Sequence, residues 1–223
     1  MTVGRAGERD ASGGEICVFV VAYAQIAGWC TNELRLSERP PSGRGLTVGH
    51  IKVVFSQYEV PPQKDYTCRP PQAGGYGCGR YGCVEAAATP QRIWEDLRDS
   101  GLAPSLEAGA ARALTYEEAD AEFDPAEPFS LAGHLAGRAV AMWVTAHDPA
   151  RMVVFLPRIL LNSPEGTAGS RYRRALEGYV ERETFSSRKG APWNVGKVVP
   201  WTFLPTEDTF GSDPRPLPGL LRD

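Results

Sequence analysis

Residues 15–27 read EICVFVVAYAQIA, and the fold turns on them. The stretch is β-branched and aromatic, with polar side chains at Glu15 and Gln25. Such a short apolar run suits a strand buried on both faces better than an amphipathic helix. The surrounding run Ile16–Cys30 is too short to span a bilayer, which takes about 20 residues. The segment before it carries Glu8, Asp10 and Glu15, so it lacks the basic n-region of a signal peptide. Glu15–Ala27 is therefore expected to be one buried strand in the middle of a sheet.

A second strand is expected at Leu46–Val60, with Ile51, Val53 and Phe55 on one side of the pleat and Lys52 and Val54 on the other. Between the two, Ser37–Gly45 reads as a loop around Pro40-Pro41. The stretch Pro61–Cys83 reads as a long irregular loop. Thr89-Pro90 is an N-cap followed by a first-turn proline, so a helix is expected over Gln91–Ser100, with Gly101 as its stop. A second short helix is expected at Ser105–Leu114. Tyr116–Pro128 is acidic and reads as a solvated loop or short helix. Leu131–Ala146 holds Gly133 and Gly137, each costing about 1 kcal/mol inside a helix. A helix to about Val140 is expected there, then a hairpin pairing Arg138–Ala146 with Arg151–Leu161 around the Asp148-Pro149 turn. Ser170–Glu183 is expected as a helix. Val195–Leu204, interrupted by Pro200, is expected as an edge strand.

These elements make an α+β fold. The expectation is a single mixed-sheet domain over 15–204 with three or four helices and long Gly/Pro-rich loops. A flexible tail over 1–14 precedes it, and an extended Pro-rich tail over 205–223 follows. The 24 Gly and 19 Pro among 223 residues are a marked excess, concentrated in those loops and tails.

The net charge is −3, so composition alone points to neither a nucleic-acid binder nor a membrane-surface protein. Its distribution is uneven: residues 71–150 sum to −7 and 151–223 to +3. Five cysteines, an odd number, and no membrane segment point to a cytoplasmic chain with reduced thiols.

Two groups of residues carry chemistry. The first is the segment 171–197, with Arg171, Arg173, Arg174, Arg182, Arg188, Lys189 and Lys197. Tyr172, Tyr179, Phe185 and Trp193 are interleaved. Cations for phosphates and flat rings for bases make this a candidate site for RNA, single-stranded nucleic acid or another phosphorylated ligand, with Trp193 as a stacking platform. Set against that is an exposed helix face with Glu177, Glu181 and Glu183 pairing the arginines.

The second group is built on Cys83, which ends the run Gly77-Cys78-Gly79-Arg80-Tyr81-Gly82 and precedes a helix-prone stretch. A cysteine at a helix N-terminus gains thiolate character. His134 and His147 follow in the order of a Cys-His hydrolase or transferase, which makes Cys83 a candidate nucleophile and His134 its base. Order and rough spacing are all that agree. Cys68, Cys78 and Cys83, with His50, also contain the ligands of a Cys₃His metal site. No CxxC pair is present, so the expectation is free thiols, with no metal and no cofactor. Cys17 and Cys30 are expected to be buried and inert. A third reading is a structural subunit that docks on a protein assembly partner through the 205–223 tail and the Gly-rich loop.

Overall fold

A computed structural model describes residues 16–31, 45–55, 65–68, 78–115, 127–182 and 201–206. The expected tail over 1–14, residues 207–223 of the other tail, the 37–44 loop, the acidic 116–126 segment and the residues Arg188, Lys189, Trp193 and Lys197 lie outside these residues. Pro205 and Thr206, expected to open the tail, are instead the end of a strand and a buried residue.

The apolar stretch at 15–27 is a hairpin and not one strand. Strand β1 covers Ile16–Val21 and strand β2 covers Ile26–Thr31, antiparallel, with Val21 opposite Ile26. The turn between them, Ala22-Tyr23-Ala24-Gln25, closes on a hydrogen bond from the Ala22 amide to the Gln25 carbonyl at 2.8 Å. It contains no Gly, Pro, Asn or Asp, so the composition carries no turn signal. The expectation that β1 is central holds. Its six residues are buried on both faces, because β3 (Arg151–Leu156) pairs parallel along its other side. Strand β4 (Trp201–Pro205) pairs parallel to β3 at the edge. Among the described residues the mixed sheet has four strands in the order β2-β1-β3-β4.

Helices α1 (Val84–Ala88), α2 (Pro90–Asp99), α3 (Leu106–Ala113), α4 (Pro128–His147), α5 (Arg158–Leu161) and α6 (Ala168–Val180) fill the connections. The architecture is α+β, with six described helices where three or four were expected. Local chemistry explains the starts of α2, α3 and α6. The hydroxyls of Thr89, Ser105 and Thr167 accept from the amides of Arg92, Ala108 and Ser170. Gly101 follows α2 with φ +70°.

Two further expectations fail. Residues 46–50 form a 3₁₀ turn, Gly45–His50, and not a strand. Beyond it Val53 and Val54 are both buried while Phe55 is exposed, so the side chains do not alternate. The reason is that the amides of Val53 and Val54 both donate to the Gly82 carbonyl, at 2.7 and 3.2 Å, in place of a regular ladder. The second failure is the hairpin after Val140. Helix α4 continues for 20 residues to His147, and β3 pairs parallel with β1. Gly133 and Gly137 are not helix breakers here but points of close approach to α6. A methyl group on Gly133 would overlap the Tyr172 carbonyl, and one on Gly137 would sit 2.8 Å from the Leu176 carbonyl.

One core lies between the Cys17, Phe19, Val21 and Val154 face of the sheet and the helices, with Leu135, Val140, Val144, Tyr172 and Leu176 at its centre. The opposite face carries a smaller cluster around Val18, Val20, Val153 and Phe155.

The glycine contacts predict opposite outcomes at two positions. Gly133→Ala is expected to lose about 1–3 kcal/mol of stability despite its better helix propensity, because backbone blocks the methyl. Gly178→Ala in α6 meets only the end of Arg182, at 3.6 Å, and should gain up to about 1 kcal/mol. Urea unfolding midpoints of the two variants check both signs.

A candidate metal centre

Four side chains that are far apart in sequence converge beside β2. The ligand atoms of His50, Cys68, Cys78 and Cys83 all lie within 4.8 Å of one another. His50 ends the 3₁₀ turn. Cys68 belongs to a short extended piece, 65–68, that bridges back to the loop at Thr67 and Tyr81. Cys78 opens that loop, and Cys83 closes it as the N-cap of α1.

Backbone hydrogen bonds hold the frame. The Cys68 amide donates to the Arg80 carbonyl at 2.9 Å, and the Gly79 amide donates to the Cys68 carbonyl at 2.8 Å. The Gly82 amide donates to the Tyr66 carbonyl at 3.0 Å, and the Val84 amide to the Ile51 carbonyl at 2.9 Å. Lys52 and Cys83 form an antiparallel bridge. Gly82 has φ +85°, and a side chain there would run into the Val54 carbonyl. Glycine is needed at that position for the chain to turn back and present Cys83 to Cys78.

The spacings fit one cation. The Cys78 and Cys83 sulfurs are 3.5 Å apart, and the Cys68 sulfur is 3.6 Å from His50 Nδ1. With Zn–S near 2.3 Å and Zn–N near 2.0–2.1 Å, a tetrahedral ion requires about 3.8 Å between sulfurs and about 3.6 Å between sulfur and nitrogen. Three thiolates and an imidazole form a soft donor set that suits zinc, and Arg80 lies close enough to act electrostatically on His50. The cluster already favours thiolate at one position. The Cys83 thiol donates to Cys68 and, with His50, holds Cys68 down to about 4. Cys83, as the donor to Cys68, is pushed up.

Glu85, in the first turn of α1, braces the cluster. One carboxyl oxygen lies 3.9 Å from the Cys68 sulfur, and the other accepts from the Ile26 amide of β2 at 3.4 Å. Burial, and then the charge on Cys68, push its carboxyl up to about 7.

The other expected site residues are placed elsewhere. Cys83 is at a helix N-terminus as expected, but its thiol is pushed up and it donates to the carbonyl of His50 as well as to Cys68. That is the opposite of an activated nucleophile. His134 packs edge-on against Tyr179 at 4.6 Å within the α4–α6 layer. His147 lies on Trp143 at 4.2 Å. The three residues are not brought together. Arg171, Arg173 and Arg174 lie on α6, and Arg182 just beyond it. Arg173 donates to the Leu161 carbonyl at 2.9 Å and pairs with Glu165 and Glu177, while Arg174 pairs with Glu165.

No family model matches the sequence, and no curated protein does. Solved structures do match. A ROK hexokinase from Thermus thermophilus aligns over 85% of this chain and 51% of its own, at 23% identity and a TM-score of 0.53. The chain shares the fold of that hexokinase. It spans about half of the hexokinase's length. A ROK family glucokinase from Streptomyces griseus, solved with glucose and AMPPNP, aligns at 19% identity over 85% of this chain and 55% of its own. A ROK family transcriptional regulator, a homologue of the E. coli MLC protein, aligns at 17% over 86% and 41%. Their TM-scores, 0.45 and 0.47, are too low to carry an argument.

The hexokinase fold overturns the reading of 171–197 as a nucleic-acid-binding module. Two of its arginines, Arg173 and Arg174, are also committed to glutamates. The Cys-His hydrolase and the assembly subunit fall with it. Among the described residues no helix is long and apolar enough to cross a membrane. The expectation of free thiols passed over the Cys₃His alternative because its paired spacing is Cys-x₄-Cys, with the other two ligands on distant segments. The signal that was available is the Cys-Gly-x-x-Gly-Cys run at 78–83, whose glycines turn the chain back on itself.

His134 yields a pH prediction. Burial first, and then Arg138 and Arg182, lower it from 6.5 to about 4. Between those values the unfolded chain binds the proton and the folded chain resists it. Stability therefore falls as pH falls through that window. His134→Gln should flatten this part of the urea-midpoint profile between pH 7 and 5. An equal fall in both proteins contradicts it.

Proposed function

We propose that this chain is a zinc-organised sugar-binding domain. The observation that carries the zinc part is the convergence of His50, Cys68, Cys78 and Cys83. Such an ion adds to the core packing of Tyr66, tying the 65–68 piece and the 78–83 loop to the 3₁₀ turn and to α1. Its binding free energy adds to folding, because the unfolded chain holds no such site. The likeness of fold to a hexokinase supports a sugar as the ligand. Glu85 is the acceptor we assign to sugar hydroxyls, as a half-buried carboxyl carried on a helix that the metal centre holds in place. The proposal is confined to binding, since the chain spans about half of that hexokinase.

Two experiments test it. Cys78 is exposed, so Cys78→Ala costs little packing. It is expected to lose the zinc of this centre by elemental analysis and to lower Tm by several degrees or more, as removal of a ligand held far above its Kd should. Unchanged metal content refutes the centre. Calorimetric titration of the zinc-loaded chain with hexoses should show saturable binding that Glu85→Gln weakens at least tenfold. A flat titration with every hexose refutes the sugar.

A further inference from the structure

A second group of metal-ligating side chains stands apart from the first. The ligand atoms of Cys17, Cys30 and His147 lie within 4.8 Å of one another. Cys17 and Cys30 face each other across the β1–β2 ladder, so their side chains share one side of the sheet. That side is the one α4 covers, and Cys17 belongs to its core. His147 is the last residue of α4. Asp148 ends the helix in the left-handed conformation, at φ 43°. The ring of His147 lies on Trp143 at 4.2 Å, which fixes its orientation over the cysteine pair. Neither cysteine is in a disulfide. Cys17 is buried, Cys30 half-buried and His147 exposed, so the site grades from dry to open.

We propose that Cys17, Cys30 and His147 form a second zinc site, with three protein ligands and a fourth position open to water. Two thiolates and a neutral imidazole neutralise a divalent ion, which suits a site with one fully buried ligand. The donor set is soft, and three protein ligands with an open position are an established zinc arrangement. The location adds to it, since the C-terminal end of a helix carries partial negative charge and favours a cation. A metal ion here ties strand β2 and the central strand β1 to the end of α4, just before the chain enters β3. The inference does not depend on sugar binding.

Metal stoichiometry of the full chain, reconstituted anaerobically with excess zinc under a non-thiol reductant and then desalted, tests it. The two sites predict two equivalents. Cys30→Ala and His147→Ala, at half-buried and exposed positions, should each retain one equivalent with unchanged far-UV circular dichroism. Cys78→Ala should also retain one, from the other centre. With only three ligands, the second site should lose its ion first to a chelator. With cobalt as the probe, His147→Ala and Cys30→Ala should remove charge-transfer intensity near the proportion of two thiolates to five. If the wild-type chain and both variants hold the same single equivalent, and Cys78→Ala holds none, the second site is refuted while the first stands. If Cys78→Ala leaves metal content unchanged but Cys30→Ala lowers it, the first centre fails and the second stands.

Discussion

The backbone of α4 lies against the backbone of α6, and Gly133 is where they meet. No side chain fits there, because the Tyr172 carbonyl occupies the place of a Cβ. This approach lets Leu135, Val140 and Val144 on α4 pack with Tyr172, Leu176 and Val180 on α6 in one core over the sheet. It also places the Tyr172 hydroxyl, which is fully buried, to donate to the Ala88 carbonyl at 3.0 Å. Ala88 ends α1, and α1 begins at Cys83. The metal centre is thus held from one side by the helix layer and from the other by β2, whose Ile26 amide meets Glu85.

The two halves of the centre differ in what holds them. The 78–83 loop is rigid through its own backbone bonds to Tyr66, Cys68 and Val53. Arg138 adds a link from α4, donating to the Val53 carbonyl at 2.6 Å. In the 65–68 piece buried Tyr66 and Cys68 alternate with exposed Asp65 and Thr67. The proposed ion would add the cohesion of thiolate coordination to that burial.

The signals that were legible are local ones. The cap at Thr89, the proline at the start of α2 and the glycine after it place that helix to within a residue or two. A few residues decide each of these ends by hydrogen bonds within a single turn. The pleat of β1 was also legible, since a strand buried on both faces needs six apolar residues in a row. The errors were tertiary. The β1–β2 turn has no turn residues and exists because Val21 and Ile26 both belong in cores. The glycines of α4 looked like breaks until α6 was set beside them. The arginines of 171–197 looked available for a ligand, but Arg173 and Arg174 meet Glu165 across a turn that no periodicity reveals.

The sequence by itself determined the α+β class, the central place of the first apolar strand and the helix ends that carry their own caps. Only the tertiary structure decided which cysteines meet. His50, Cys68 and the Cys78–Cys83 pair come from three places in the chain, and so do Cys17, Cys30 and His147. Metal geometry is a condition on distances in space. Spacing along a chain encodes it only when the ligands share one turn, and here most of them do not.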